Sequence, residues 1–175
     1  MDAVPSSRLV NFLMSGFRFG PRITSLIGAF LVVLSLTARA QSTPEAVSRQ
    51  WMDEFNAGDM AKADEFNSSS GTSIIDEFAP YSWNGPKAFA EWGAALEADA
   101  KTQGLTEAKV KLGTLAVKNV ASSHAYLIFP AVYTYKQKGV PMVETARMAI
   151  VMRKEGGAWK VVSWSWTGGV PKTAN

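Results

Sequence analysis

The chain has 175 residues, with 18 Lys and Arg against 15 Asp and Glu, one histidine and no cysteine. The lack of cysteine excludes thiolate catalysis, disulfide staples, cysteine metal sites and lipid attachment through cysteine, and a single histidine excludes a His-rich metal centre. The formal net charge of +3 is a property of the N-terminal segment, so it argues for no nucleic-acid partner.

Arg8, Arg18 and Arg22 precede the apolar run ITSLIGAFLVVLSL, Ile23 to Leu36, and Ala38-Arg39-Ala40 then places small residues at the two positions a signal peptidase reads. That order predicts a signal peptide over residues 1–40 and one domain over residues 41–175. The apolar run has 14 residues, short of the roughly 20 a membrane span needs, so no stable membrane anchor is expected after cleavage. The expected location is outside the cytoplasm, in a periplasm or secreted. The leader holds four of the 18 basic and one of the 15 acidic residues, leaving 14 of each. With charge balanced and no Lys/Arg cluster longer than two, the remainder has no electrostatic footprint for nucleic acid.

In chain order, Thr43 can cap a helix from Pro44 to Ala57, with Val47, Trp51 and Phe55 recurring every four residues on one face. Asp59 can cap a short second helix, Met60 to Phe66. Ser73 to Phe78 reads as a strand with Ile74 and Ile75 at its centre, and APYSWNG, Ala79 to Gly85, reads as a loop. A third helix opens at Pro86, with Phe89, Trp92 and Leu96 as its buried stripe. Glu107 to Leu112 alternates polar and apolar. His124 to Lys136, Val140 to Lys154 and Trp159 to Thr167 follow as strands joined at Gln137-Lys138-Gly139 and Glu155-Gly156-Gly157. Helices first and an antiparallel meander afterwards define an α+β class.

FNAGDM at the end of the first helix, the strand ending in an acid, the loop into NGPKAFAEW and the closing hairpin EGGAWKVVSWSW together resemble the NTF2-like superfamily, also called SnoaL-like or ketosteroid isomerase-like. The resemblance covers about residues 44–168 and implies a cone-shaped barrel, with helices packed on a curved, mostly antiparallel sheet around a pocket. It also implies a homodimer through the outer sheet face. The superfamily holds isomerases, cyclases, dehydratases and members that only bind, so the fold does not select a function.

Asp76 stands nine residues before Gly85, which matches by count the general base of the ketosteroid isomerases. Burial would raise its pKa toward the working pH. Glu77 is expected on the opposite face of the strand, and the pair can equally mark a solvated strand end. Two hydrogen-bond donors of the isomerase pattern fall instead on Trp51 and Met148. An indole is a poor substitute for a phenol and a thioether donates nothing, so an isomerase of the usual kind is not expected.

The aromatic inventory favours a small, largely apolar ligand. Trp51, Tyr81, Trp83 and Met148 are candidate contacts, and Glu144, in phase with Met148, Ile150 and Met152, is a candidate polar group in the cavity. Phe55, Phe89, Trp92 and Trp164 read as core. Arg147, Ala149, Val151 and Arg153 form the other face of that strand, suited to dimer packing. His124 reads as a surface or core histidine, and GGAWKV as a hairpin turn. No cofactor and no metal is expected. Three functions remain open: a binder of a small apolar molecule, an isomerase, dehydratase or cyclase-type enzyme with Asp76 as general base or acid, and a dimeric interaction module.

Overall fold

The structure is a computed structural model and describes residues 42–174; the signal-peptide reading of residues 1–40 lies outside the described residues. Three helices, α1 (Pro44–Ala57), α2 (Met60–Asp64) and α3 (Ala88–Gln103), accompany eight strands. These are β1 (Thr72–Ile75), β2 (Ser82–Gly85), β3 (Leu105–Leu112), β4 (Val117–Val120), β5 (His124–Gln137), β6 (Val140–Glu155), β7 (Ala158–Gly168) and β8 (Lys172–Thr173). The architecture is α+β, with one curved sheet in the order β2-β1-β7-β6-β5-β3; β4 pairs with β5 and β8 with β6. Every pairing is antiparallel except that of β1 with β7.

α1 forms where the sequence carries both a cap and a stripe. Thr43 Oγ1 accepts the Ala46 N–H at 3.2 Å, Pro44 occupies the first turn, and Gly58 closes the helix in the left-handed region at φ 80. Val47, Trp51 and Met52 are buried by this helix. Its last turn is tied to the sheet by Asn56, whose Nδ2 donates to the Val110 carbonyl at 2.7 Å and whose Oδ1 accepts the Val110 N–H at 2.8 Å. The neighbouring register shift in β3, between Thr106 and Lys109, turns that strand at the same place.

β5 and β6 form the long hairpin of the sheet, in register from His124↔Arg153 to Gln137↔Val140. Alternation puts Leu127 and Phe129 of β5 and Met148, Ile150 and Met152 of β6 into the core. β7 changes phase once. Met152 pairs with Val161 and Val151 with Ser163, so Val162 is the extra residue of a bulge. That shift lets Trp159 and Val161 before it and Trp164 after it enter one core cluster.

Several boundaries differ from the sequence expectation. The strand expected to run to Phe78 ends at Ile75, and part of the expected loop, Ser82–Gly85, is strand β2, pairing back on β1 from Thr72↔Gly85 to Ile75↔Ser82. Asn and Gly disfavour a strand locally, and the backbone bonds to β1 override that preference at the sheet edge. Gly71 is required here: its φ is +114, and a Cβ would lie 2.7 Å from the Gly85 carbonyl carbon. α2 ends at Asp64 rather than Phe66, and α3 begins at Ala88, with Lys87 as its cap residue, rather than at Pro86. β4 and β8 were not expected.

Leu127 is fully buried, so Leu127→Ala should lower unfolding free energy by about 2–5 kcal/mol, whereas Val140→Thr, on a residue 47% exposed, should change it by less than about 0.5 kcal/mol. Urea denaturation with an unchanged slope checks both; a loss below about 1 kcal/mol for Leu127→Ala would contradict the core assignment.

Candidate functional site

A cavity of about 500 Å³ lies against the inner face of the sheet. Trp51, Met52 and Phe55 of α1, Trp92 and Leu96 of α3, and Met148 and Trp164 of the sheet are among its apolar lining. The rings interlock: Trp92 meets Trp164 edge-on at 4.9 Å, Phe55 lies 5.6 Å from Trp92, and Trp51 lies 5.9 Å from Trp164. A volume of this size with aromatic walls suits a small molecule.

Three further lining residues are acids that converge from two places in the chain, Asp76 and Glu77 just after β1 and Glu144 on β6. Asp76 Oδ2 accepts the Trp92 indole N–H at 2.8 Å and Oδ1 accepts the Glu77 backbone N–H at 2.8 Å. Its own backbone N–H donates to the Tyr81 carbonyl at 3.1 Å, which closes the turn beyond β1. Glu144 is 2% exposed; its Oε1 accepts the Trp166 indole N–H at 3.0 Å. The Glu77 carboxyl turns toward Glu144 and shares a hydrogen bond with it.

Gly168 makes this meeting possible. A Cβ on it would collide with carboxyl oxygens of both Glu77 and Glu144. The last residue of β7 therefore has to lack a side chain for the two carboxyls to lie side by side.

The electrostatics follow from crowding and burial. Burial raises the Asp76 pKa, opposed by the bonds from Trp92 and the Glu77 N–H and reinforced by the charges of Glu144 and Asp99. Burial also pushes Glu77 up to about 7, and the charge of Glu144, the bond shared with it and the charge of Asp76 act in the same direction, while Trp166 opposes them. A proton held between two carboxyls is the physical meaning of that shift. Tyr133, cross-strand from Glu144, is pushed up to about 12 by burial and then by neighbouring negative groups.

Of the residues singled out in the sequence, Asp76, Trp51, Met148 and Glu144 line the cavity, and Trp83 and Tyr81 do not. Trp83 is buried beside the Phe78 ring at 5.3 Å, paired in register with Ile74, so it serves the core. Tyr81 is 61% exposed with φ 73, in the turn that brings the chain back to β2. The expectation that Glu77 points away from Asp76 also fails, because alternation stops with the strand at Ile75 and the turn brings both acids to the cavity. Trp51 Nε1 is buried with no hydrogen-bond partner among the described residues. His124 is exposed, with Nδ1 3.0 Å from the Ser123 hydroxyl. Arg153, on the strand face suited to dimer packing, bonds to Glu155 at 2.6 Å and to Ser70 at 2.9 Å.

Sequence reasoning missed Trp92 as a hydrogen-bond donor, Tyr133 as cavity lining and Gly168 as a spacer. Gly168 carried no signal in sequence, because only the contact across the sheet requires it.

A helix-wrapped curved sheet enclosing an acid-ended apolar cavity defines the class. The SnoaL-like domain matches residues 45–166, and the chain belongs to that family. No curated protein matches the chain. Among solved structures it is similar to a ketosteroid isomerase-like protein from Erwinia carotovora atroseptica, at 13% identity and TM-score 0.58, covering 76% of this chain and 98% of that one. It is similar to a type 2 hexachlorocyclohexane dehydrochlorinase at 9% identity and TM-score 0.61, covering 75% and 86%. An NTF2-like protein with a cystatin-like fold from Novosphingobium aromaticivorans is similar at 15% identity and TM-score 0.55, covering 69% and 75%. At such identities these likenesses establish the fold alone.

The upward shifts fix a sign for stability. The folded chain keeps protons that the unfolded chain releases from the ordinary glutamate value of 4.5 onward, so this contribution is complete below pH 4.5 and is lost as pH rises through about 7. Urea denaturation from pH 4 to 8 should show the parent losing stability relative to Glu77→Gln across that window. A difference that is flat, or that grows in the parent's favour with pH, would contradict the shared proton.

Proposed function

We propose that this chain binds a small, largely apolar molecule in its cavity, with the acidic end fixing the orientation of the bound molecule. The observation that carries the reading is the cavity of about 500 Å³, walled by indole, phenyl and aliphatic side chains and polar at one end. Such a division, apolar surface for affinity and a few polar points for orientation, is how small-molecule sites are usually built. Binding happens outside the cytoplasm, after removal of residues 1–40, and cell fractionation with N-terminal sequencing of the mature chain tests that location.

A neutral fluorescent probe, N-phenyl-1-naphthylamine, should bind saturably at one site. Met148 is 3% exposed on the cavity wall, so Met148→Trp should fill the space and weaken probe binding by roughly 10-fold or more. Equal affinity in parent and variant would overturn the reading.

One feature favours a second function, proton transfer. Asp76 is desolvated at the cavity wall, with its two oxygens held by Trp92 and the backbone, and the Glu77–Glu144 pair supplies a proton source beside it. Those are the parts of a general base and a general acid in an isomerase, dehydratase or cyclase-type reaction. The similar structures that carry isomerase-like and dehydrochlorinase names support this reading without identifying a substrate. In a panel of such substrates, any turnover should fall by about 100-fold or more in Asp76→Asn while probe binding persists. Turnover that survives the substitution would remove Asp76 from the chemistry.

A further inference from the structure

The charge of the cavity is one-sided. Its lining includes Asp76, Glu77, Glu97, Asp99 and Glu144 and, among the described residues, no lysine, arginine or histidine. The four ion pairs among the described residues use Glu45, Glu54, Glu107 and Glu155, none of which lines the cavity. Glu144 is nevertheless 2% exposed, and a carboxyl that deep ordinarily has a cationic partner. Its partners, the Trp166 indole N–H and the Glu77 carboxyl, carry no positive charge. Among the described residues no group of three or more His, Cys, Asp or Glu side chains is placed to hold a metal ion, which leaves an organic cation as the fitting counter-charge.

The walls suit the same occupant. Trp92, Trp164, Trp166 and Tyr133 line the cavity, and aromatic faces attract cations most strongly where water is excluded. An anionic ligand would meet five carboxyl groups and no base. A neutral apolar ligand would bring no positive charge to these acids.

We infer that the ligand of this cavity is an amphiphilic amine, an apolar body carrying a protonated nitrogen that seats between Asp76 and the Glu77–Glu144 pair. This rests on the small-molecule reading and narrows it to one ligand class. The amine replaces the proton that the pair shares in the empty cavity, so binding releases a proton. The titratable groups around the pair are Asp76 beyond β1 and Tyr133 and Tyr135 of β5, while Glu97 and Asp99 of α3 line the same cavity. All are acids or phenols, so affinity rises with pH through the region of about 7 where Glu77 titrates. It falls again only as the amine itself deprotonates, near about 10.4 for an alkylamine.

Calorimetry with three matched probes tests this: 2-(1-naphthyl)ethylamine, 2-(1-naphthyl)ethanol and 1-naphthylacetate. At pH 8 the amine should bind about 10-fold or more tightly than the alcohol, as a charge-assisted hydrogen bond in a dry site requires, and the acetate should not bind measurably. The amine's advantage should shrink at pH 5. Glu144→Gln and, as a second variant should that one fail to fold, Asp76→Asn should remove most of the amine's advantage over the alcohol. If alcohol and amine bind equally, or if the acetate binds best, the amine inference falls and the small-molecule reading stands. If none of the three binds, both fall.

Discussion

A glutamate 2% exposed on the inner face of the longest strand places a demand on everything around it. Buried charge without a partner is unfavourable by several kcal/mol, so the chain must supply donors, a shared proton or a ligand. It supplies the Trp166 indole from β7 and the Glu77 carboxyl from the turn after β1. Strand β7 in turn ends on a residue without a side chain, Gly168, at the point where the two carboxyls meet. Position on β6, the phase of β7 and the abrupt end of β1 thus converge on one cluster.

The apolar wall depends on a second set of choices. The bulge at Val162 returns Trp164 to the inner face after Trp159 and Val161, and only then can Trp164 meet Trp92 of α3 and Trp51 of α1. Trp92 links the two sets. Its ring packs in the aromatic cluster while its N–H holds Asp76 at 2.8 Å. One side chain therefore contributes both to the stability of the helix on the sheet and to the orientation of the acid, which is why core and site cannot be assigned here as separate residue sets.

The helices and the long strands were legible because they rest on periodicity and capping: Thr43, Pro44 and Gly58 delimit α1, and alternation placed Glu144 in phase with Met148. The edge hairpin was not, since Ser82–Gly85 becomes a strand through bonds to β1 that local preference opposes. The same limit explains the site. Asp76, Trp51, Met148 and Glu144 were found by count and phase. Glu77 was assigned to the wrong side because a two-residue period was extended past the last paired residue, Ile75. Trp83 and Tyr81 stand close to Asp76 in sequence, and the turn carries one into the core and the other into solvent.

Glu77 and Glu144 meet carboxyl to carboxyl, with a shared hydrogen bond, at the end of an apolar cavity. Carbon-13 NMR of the glutamate side-chain carboxyls through a pH titration, with Glu77→Gln and Glu144→Gln to assign the signals, reads this directly. In the parent, Glu77 should titrate with a midpoint of about 7, and Glu144→Gln should move that midpoint down. A Glu77 midpoint below about 5, unchanged by Glu144→Gln, would mean a separately solvated carboxylate and would contradict the shared proton.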